Sequence, residues 1–384
     1  MADNHEFWRE IEHYRRIILS SASGLSHTAT GQQVHNEEDH NRKVVAACEK
    51  IIEEVVTTIS MEESPFIRVP KQPRREGVTS EDVRGGGETI VSWGDKRSTR
   101  RFSLLLHTLA QSYRHVKSHT FSTRRDVYYQ FPGLYGNQST LDRSAEDLCR
   151  MVGVPRDALH LTITGKGLVG GSLTYTTHDG TTVHVAQAAK GVGVPECVGG
   201  LRDIQSDAHY VLVVEKDATF QRLLEAQFHH TYGPAIIITG KGYPDLVTRQ
   251  LVYRLRHNLG LPVLCLTDAD PYGLHIAAIY KFGALARDEE GVSVSCLAWV
   301  GVLPSDLPHL HLPPPACLPL TPRDYGKLAT LAAHPSLTPS WIQQVREQQR
   351  LGYKVEIQGL THIAQDYLTN TYLPSKLRQG GWVV

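Results

Sequence analysis

The sequence predicts a mixed α/β chain, α+β overall, with a helix-rich first half and a parallel βαβ core in the second. Three observations carry this. Val211–Val214, Ala235–Thr239 and Val263–Leu266 are short, continuous apolar or β-branched runs, the composition of strands covered on both faces. Each is followed by an amphipathic stretch, and a β-α-β-α-β order implies parallel strands joined by right-handed crossovers. Each run also ends in acids, glycine or both: Glu215, then Gly240-Lys-Gly242, then Asp268-Ala-Asp270. Ligands of such sheets bind beyond the carboxyl ends of the strands. Carboxylates gathered there repel one another unless a cation neutralises them, and hard oxygen ligands suit Mg²⁺. Glu215, Asp268 and Asp270 are therefore expected to form a divalent-metal site for phosphate chemistry.

The bulk composition narrows the class. A length of 384 residues suits two domains with a terminal extension. Lysine plus arginine and aspartate plus glutamate balance at 40 each, so any nucleic-acid role must rest on local basic patches. Cysteines 48, 149, 197, 265, 296 and 317 contain no close pair, which argues against a zinc ribbon and against a secreted disulfide framework. No apolar run approaches the ~20 residues of a membrane span, and the first residues lack a signal-peptide core. A soluble intracellular protein is expected. The basic runs Lys71–Arg75 and Lys96–Arg101 are short, and nuclear import is the weaker reading of either.

Taken in order, residues 7–23 place Phe7, Ile11, Tyr14 and Ile18 at helical spacing. Residues 24–40 read as a polar connection, and a helix follows through Val44, Val45, Ile51, Ile52 and Val55. Residues 60–100 read as loop-rich around one strand, Glu88 to Trp93. Amphipathic helices are expected over Phe102–Val116 and Asn137–Val152, and a β-hairpin over Leu173–Val185 turning at Asp179-Gly180. Helices followed by a hairpin fit a winged helix-turn-helix. Gly191–Pro195 reads as a linker, so the expected division is 1–90, 91–190 and 191–384. A fourth strand is expected at Val294–Val300, then a proline-dense connection from Pro304 to Pro322, and helices near 323–333, 339–350 and 355–371.

Thr123-Arg-Arg-Asp-Val-Tyr-Tyr129 puts two phenols beside two arginines. Alone this fits buried rings with surface arginines. Beside a metal site it gains a second meaning. A phenol with a pKa near 10 is a poor nucleophile at neutral pH, and an adjacent arginine stabilises phenolate and phosphate together. Together with Leu134-Tyr-Gly-Asn-Gln138, Gly165-Lys-Gly-Leu168, Val213-Val-Glu-Lys-Asp-Ala-Thr-Phe220, Ile238-Thr-Gly-Lys-Gly-Tyr-Pro-Asp245, Thr267-Asp-Ala-Asp-Pro-Tyr-Gly273 and Tyr372-Leu-Pro-Ser-Lys-Leu377 with Gly380-Gly-Trp382, the motif resembles the meiotic double-strand-break transesterases. These are eukaryotic relatives of the DNA topoisomerase VI A subunit. The resemblance runs from about residue 100 to the end, while residues 1–90 match only loosely. It implies a winged-helix (CAP-like) domain followed by a Toprim domain, a core shared with other topoisomerases, primases and nucleases.

Carried over by residue, the resemblance makes Tyr129 the nucleophile, Tyr128 its neighbour and Arg125 the support of the attacked phosphate. Glu215, Asp268 and Asp270 would hold one or two Mg²⁺ ions. It implies a nuclear enzyme of the type IIB topoisomerase class, an ATP-hydrolysing class, that joins itself to 5′ ends of double-stranded DNA as a homodimer. Accessory meiotic proteins would be partners, as would a topoisomerase VI B-like subunit, with the Trp8–Ser20 helix as the contact. The alternatives are a topoisomerase A subunit that reseals its breaks and a catalytically idle DNA-binding protein.

Other motifs divide between function and structure. Gly165–Gly170 formally matches a dinucleotide pattern, but strand-like residues follow it, and a real fingerprint opens a helix. Lys166 is read as a DNA phosphate contact or as solvent-exposed, and Arg124 as a DNA contact. Gly240–Gly242 either meets an anion or permits a tight turn, and Lys216 and Lys241 either bind phosphate or offset the acids. Asp217 is expected to cap the next helix rather than bind metal. His229-His230 and His309/His311 lack a third ligand at plausible spacing and read as surface. The basic residues before Tyr129 suit phosphate neutralisation without a base-reading code.

Overall fold

The computed structural model describes residues 30–71, 87–154, 156–162, 165–283 and 292–384. The helix expected over 7–23, with its partner contact at Trp8–Ser20, lies outside these residues, as does most of the basic run 71–75. Packing divides the chain between Thr164 and Gly165 into two compact units.

The first unit opens with α1 (Thr30–Ser60). It begins inside the stretch expected to be a connection. No Gly or Pro interrupts Gln32 to Ser60, so the helix propagates back from its amphipathic half. Strands β1 (Phe66–Pro70) and β2 (Glu88–Ser92) form an antiparallel ribbon, Phe66 facing Ser92 and Pro70 facing Glu88. Its inner face buries Ile67, Val69 and Val91 against Val55, Phe102 and Leu105. Next come α2 (Thr99–Lys117), β3 (Ser122–Thr123), α3 (Arg124–Gln130), α4 (Gln138–Val152) and β4 (Leu161–Thr162), with β3 and β4 pairing in parallel. Asn137 Oδ1 caps α4 by accepting the Thr140 N–H at 3.0 Å, and Gly153 ends it with φ 72°. Leu141 and Leu148 are fully buried on its inner face, each stabilising by about 1.5–3 kcal/mol. They share a core with Leu109, Val127 and Tyr135.

The second unit contributes β5 (Leu168–Gly171), β6 (Thr174–Thr176), β7 (Thr182–His184), β8 (Val192–Gly193), β9 (Arg202–Gln205) and β10 (Tyr210–Val214). Then follow α5 (Asp217–Glu225), β11 (Ala235–Thr239), α6 (Leu246–Leu259), β12 (Val263–Leu266), α7 (Pro271–Phe282) and β13 (Ala298–Gly301). One six-stranded sheet runs β13-β12-β10-β11-β5-β8. Within it β10 pairs in parallel with β11 and β12, and β12 with β13, while β5 is antiparallel to β11 and to β8. Every residue of β10 and β11 is buried, as strands covered on both faces require. The carboxyl ends of β10, β11 and β12 lie side by side, Val214 facing both Thr239 and Leu266.

Three sequence expectations meet a different arrangement. The hairpin β6–β7 forms, with Gly180 at φ 88° in its turn, but it pairs with β9 and belongs to the second unit. The antiparallel ribbon of the first unit is β1–β2. Residues 191–195, expected as a linker, carry edge strand β8, because Val192 finds a partner in Val169. The chain closes with β14 (Leu318–Pro319), α8 (Pro322–Ala332), α9 (Pro339–Leu351), β15 (Tyr353–Lys354) and α10 (Leu373–Gln379). The single helix expected over 355–371 is instead a 3₁₀ turn, Ile357–His362, and a π turn, Leu368–Tyr372. Its first residue, Val355, spends both backbone groups on Ala269, at 3.1 and 2.9 Å. Among the described residues no helix is long and apolar enough to cross a membrane.

Candidate active site

The tyrosine pair sits on α3, which a side-chain cap starts. Thr123 Oγ1 accepts the Asp126 N–H at 3.0 Å and donates to Asp126 Oδ2 at 2.7 Å. Positions four apart share a helix face, so Arg125 and Tyr129 lie together on the outer side, where both are exposed. Tyr129 is 64% exposed, the most open tyrosine among the described residues. Tyr128 is half-buried, donates its hydroxyl to the Gly136 carbonyl at 3.4 Å and keeps its ring 5.5 Å from that of Tyr129. Val127 anchors the inner face.

Arg124, expected at a DNA phosphate, is corrected by the structure. Its side chain is 3% exposed and turned inward, with Nε donating to the Leu161 carbonyl at 3.3 Å and Nη1 3.4 Å from Asp142 Oδ1. Arg124 lies on the inward side of α3 with Val127, so this guanidinium ties the helix to β4 and α4.

The acids stand beyond the strand ends of the second unit. Glu215 follows β10 and is buried, and its Oε2 accepts the Asp268 N–H at 2.9 Å. Asp268 follows β12 and is also buried; its Oδ1 accepts the Ile357 N–H at 2.8 Å and its Oδ2 lies 2.7 Å from Lys216 Nζ. Asp270 caps α7, its Oδ1 accepting from Tyr272 N at 2.9 Å and Gly273 N at 2.6 Å. Burial, then the neighbouring Asp268, push the Glu215 carboxyl up to about 8. Burial also raises Asp268 and Asp270, opposed by the Ile357 and Gly273 N–H groups respectively. These shifts describe negative charge crowded in a poorly hydrated place. Among the described residues no three His, Cys, Asp or Glu side chains converge into a ready cage, and both Asp268 oxygens are turned to other partners. The donors still fit a hard divalent cation. All are oxygens, and one already holds an ammonium.

Further residues frame the acids. Lys216, by sequence either a phosphate contact or an offset to the acids, binds Asp268 through its ammonium, and also Glu356 Oε2 and Gln358 Oε1 at 3.0 Å each. Lys166 and Lys241 come from separate Gly-Lys-Gly turns that meet: Lys166 is exposed and donates from Nζ to the Lys241 carbonyl at 3.2 Å. Lys241 adopts φ 51° and pairs through Nζ with Asp217 Oδ2 at 3.4 Å. Asp217 occupies the first position of α5 rather than its cap, which is Lys216. Tyr243 is 40% exposed and hydrogen-bonds His275 Nδ1 at 2.9 Å, and burial and Asp270 push its phenol up to about 12.

Comparison with known proteins places this geometry. Residues 210–377 match the Toprim-domain family of the topoisomerase 6 A subunit/Spo11, and residues 100–161 match the family described as Type IIB DNA topoisomerase. Meiotic recombination protein SPO11 of Homo sapiens is 37% identical over 397 residues, covering 100% of this chain and 99% of the human protein. The chain belongs to the family of Spo11 and the topoisomerase 6 A subunit. The SPO11 of Mus musculus is 35% identical over 394 residues, covering 100% and 99% of the two chains. The DNA topoisomerase 6 A subunit of Arabidopsis thaliana is 33% identical over 289 residues, 74% of this chain and 66% of its own length. The Toprim match spans both strand ends that carry Glu215 and Asp268, and the other match spans α3.

Glu356, Gln358 and Tyr243 are not singled out by sequence reasoning. Tyr243 is within its reach, since it follows the Gly240–Gly242 turn. Glu356 and Gln358 lie 141 and 90 residues from Glu215 and Asp268 in no recognisable pattern of spacing, and non-local contacts bring them there, the Ala269–Val355 backbone bridge and the Ile357 N–H on Asp268.

Proposed function

We propose that this protein is a Mg²⁺-dependent DNA transesterase that makes double-strand breaks and so initiates meiotic recombination. The observation that carries the reading is the placement of Tyr129, exposed with Arg125 on one helix face, in a chain whose other unit gathers buried acids at strand ends. Full-length similarity to SPO11 proteins supports the meiotic role and a nuclear location.

In the proposed reaction the Tyr129 hydroxyl oxygen attacks a backbone phosphorus. The new Oη–P bond forms as the bond to the 3′ oxygen breaks, the phenol proton departs, and the 3′ oxygen takes up a proton. Neither water nor ATP is consumed in this exchange of esters. Arg125, one turn from Tyr129, neutralises the phosphate and the developing phenolate. Glu215, Asp268 and Asp270 are the residues that would hold one or two Mg²⁺ ions; bound there, the metal supplies charge stabilisation to phosphate oxygens. Lys166 and Lys241, on converging turns, suit phosphate contacts. The helices α2, α3 and α4 are read as a winged-helix type of DNA platform with β1–β2 as its ribbon. Nucleophile and acids belong to separate compact units, so a homodimer in which each copy completes the other's site is the proposed active form. Its proposed partners are meiotic accessory proteins and a B-type subunit.

The second reading is a topoisomerase A subunit that reseals its breaks, favoured by the similarity to the Arabidopsis thaliana protein. Both readings share the covalent step. Digestion of DNA-linked protein followed by mass spectrometry should find a nucleotide-modified peptide with the adduct on Tyr129. An adduct on Tyr128, or on no tyrosine, overturns the proposal.

A further inference from the structure

Both oxygens of Asp268 are engaged as the site stands, and the one facing Lys216 already carries a cation. Oδ1 takes the Ile357 N–H at 2.8 Å and Oδ2 takes the Lys216 ammonium at 2.7 Å. That ammonium has three protons and finds three oxygens, those of Asp268, Glu356 and Gln358. The acceptors are not an accident of loose side chains. Ala269 and Val355 exchange backbone hydrogen bonds at 2.9 and 3.1 Å, which pins the 356–358 turn against the acid loop. On the lysine side, residue 216 follows Glu215, whose Oε2 is itself held by Asp268 N–H. The backbone here is held by Glu215 N donating to the Leu266 carbonyl and by Phe220 N donating to the Lys216 carbonyl, each at 3.0 Å, which leaves the four-carbon stem as the part able to swing. Its side chain is 28% exposed, so a route to solvent is open.

We propose that Lys216 is a resident counter-cation: with Glu356 and Gln358 as its second anchor, it latches Asp268 until a divalent cation displaces the ammonium. The inference rests on the reading of Asp268 as a metal ligand. The exchange replaces a monovalent cation by a divalent one, so the carboxylate is never left without a counter-charge and the crowded acids gain one further positive charge. The ammonium cannot remain beside the incoming ion, because like charges at such separations repel strongly in a partly buried place. Glu356 acts on Asp268 through Lys216 and is a positioning residue, not a ligand.

Binding of Mn²⁺ to the full chain, followed by loss of the free-ion electron paramagnetic resonance signal and by Mg²⁺ competition, tests this without reference to cleavage. Lys216→Met should bind Mn²⁺ about tenfold tighter than wild type, equivalent to ~1.4 kcal/mol. Glu356→Gln keeps the lysine but removes a charged anchor, and should tighten binding about threefold. Asp268→Asn should abolish uptake. Unchanged or weaker binding by Lys216→Met overturns the latch alone. Weaker binding by Glu356→Gln makes that residue a ligand and also overturns it. Should Lys216→Met fail to fold, the surface variant Glu356→Gln decides by the same criterion. Absence of Asp268-dependent uptake by wild type removes the metal site itself, and the latch with it.

Discussion

Ile357 donates its backbone N–H to Asp268 Oδ1 at 2.8 Å, joining the acid loop after β12 to a turn 89 residues later in the chain. The bond holds one face of the carboxylate, and the Ala269–Val355 bridge holds the backbone beside it. The C-terminal segment is thus part of the acid site's frame, and disturbance of either strand of this contact should reach the acids.

Gly273 gives one such test. A Cβ there would lie 2.3 Å from the Asp268 carbonyl oxygen and 2.9 Å from its nitrogen. Backbone cannot yield as a flexible side-chain tip can. Gly273→Ala should cost about 1–3 kcal/mol, the usual penalty of forced overpacking, and should weaken Mn²⁺ uptake by shifting Asp268. Denaturant unfolding measures the first effect, and an unchanged midpoint would contradict it.

The two arginines of α3 should separate cleanly. Arg124 is buried against Leu161 and Asp142, so Arg124→Met leaves a carbonyl and a carboxylate without their donor and should destabilise by about 1–3 kcal/mol. Arg125 is exposed, so Arg125→Ala should leave the unfolding midpoint within about 0.5 kcal/mol of wild type while slowing formation of DNA-linked protein. Equal losses of stability in the two variants would reject this assignment.

His275 predicts an acid-side loss of stability. Burial, then the nearby Lys327 and His334, lower its pKa to about 4. The unfolded chain binds this proton near 6.5, and the folded chain resists it. The contribution is therefore fully present above pH 6.5 and is lost as pH falls through 4. The difference in unfolding midpoint between wild type and His275→Gln should change across that window and stay constant above it. A difference that is flat from pH 7.5 to 4 would refute the shift.

Much of this site is legible in the sequence because its parts are local. The β-branched runs mark β10, β11 and β12, and the acids just beyond β10 and β12 need no tertiary information. The pairing of Arg125 with Tyr129 also follows from helical spacing alone. Burial of Arg124 does not, since adjacent residues in a helix face different ways and the sequence does not say which way is in. The hairpin β6–β7 is visible in its turn residues, but its membership is not, because pairing with β9 depends on residues 202–205. Glu356 and Gln358 stay hidden for the same reason. A non-local backbone bridge positions them, and the apolar pattern around residues 355–371 mimics a helix that the bridge prevents.

The central claim is that the Tyr129 hydroxyl becomes bonded to DNA. Its most direct test is recovery of protein–DNA adducts under denaturing conditions from cells or reconstituted complexes carrying wild type, Tyr129→Phe or Tyr128→Phe. Wild type and Tyr128→Phe should give adducts and Tyr129→Phe none, with all three variants equally folded. Adducts from Tyr129→Phe at the wild-type level would contradict the account.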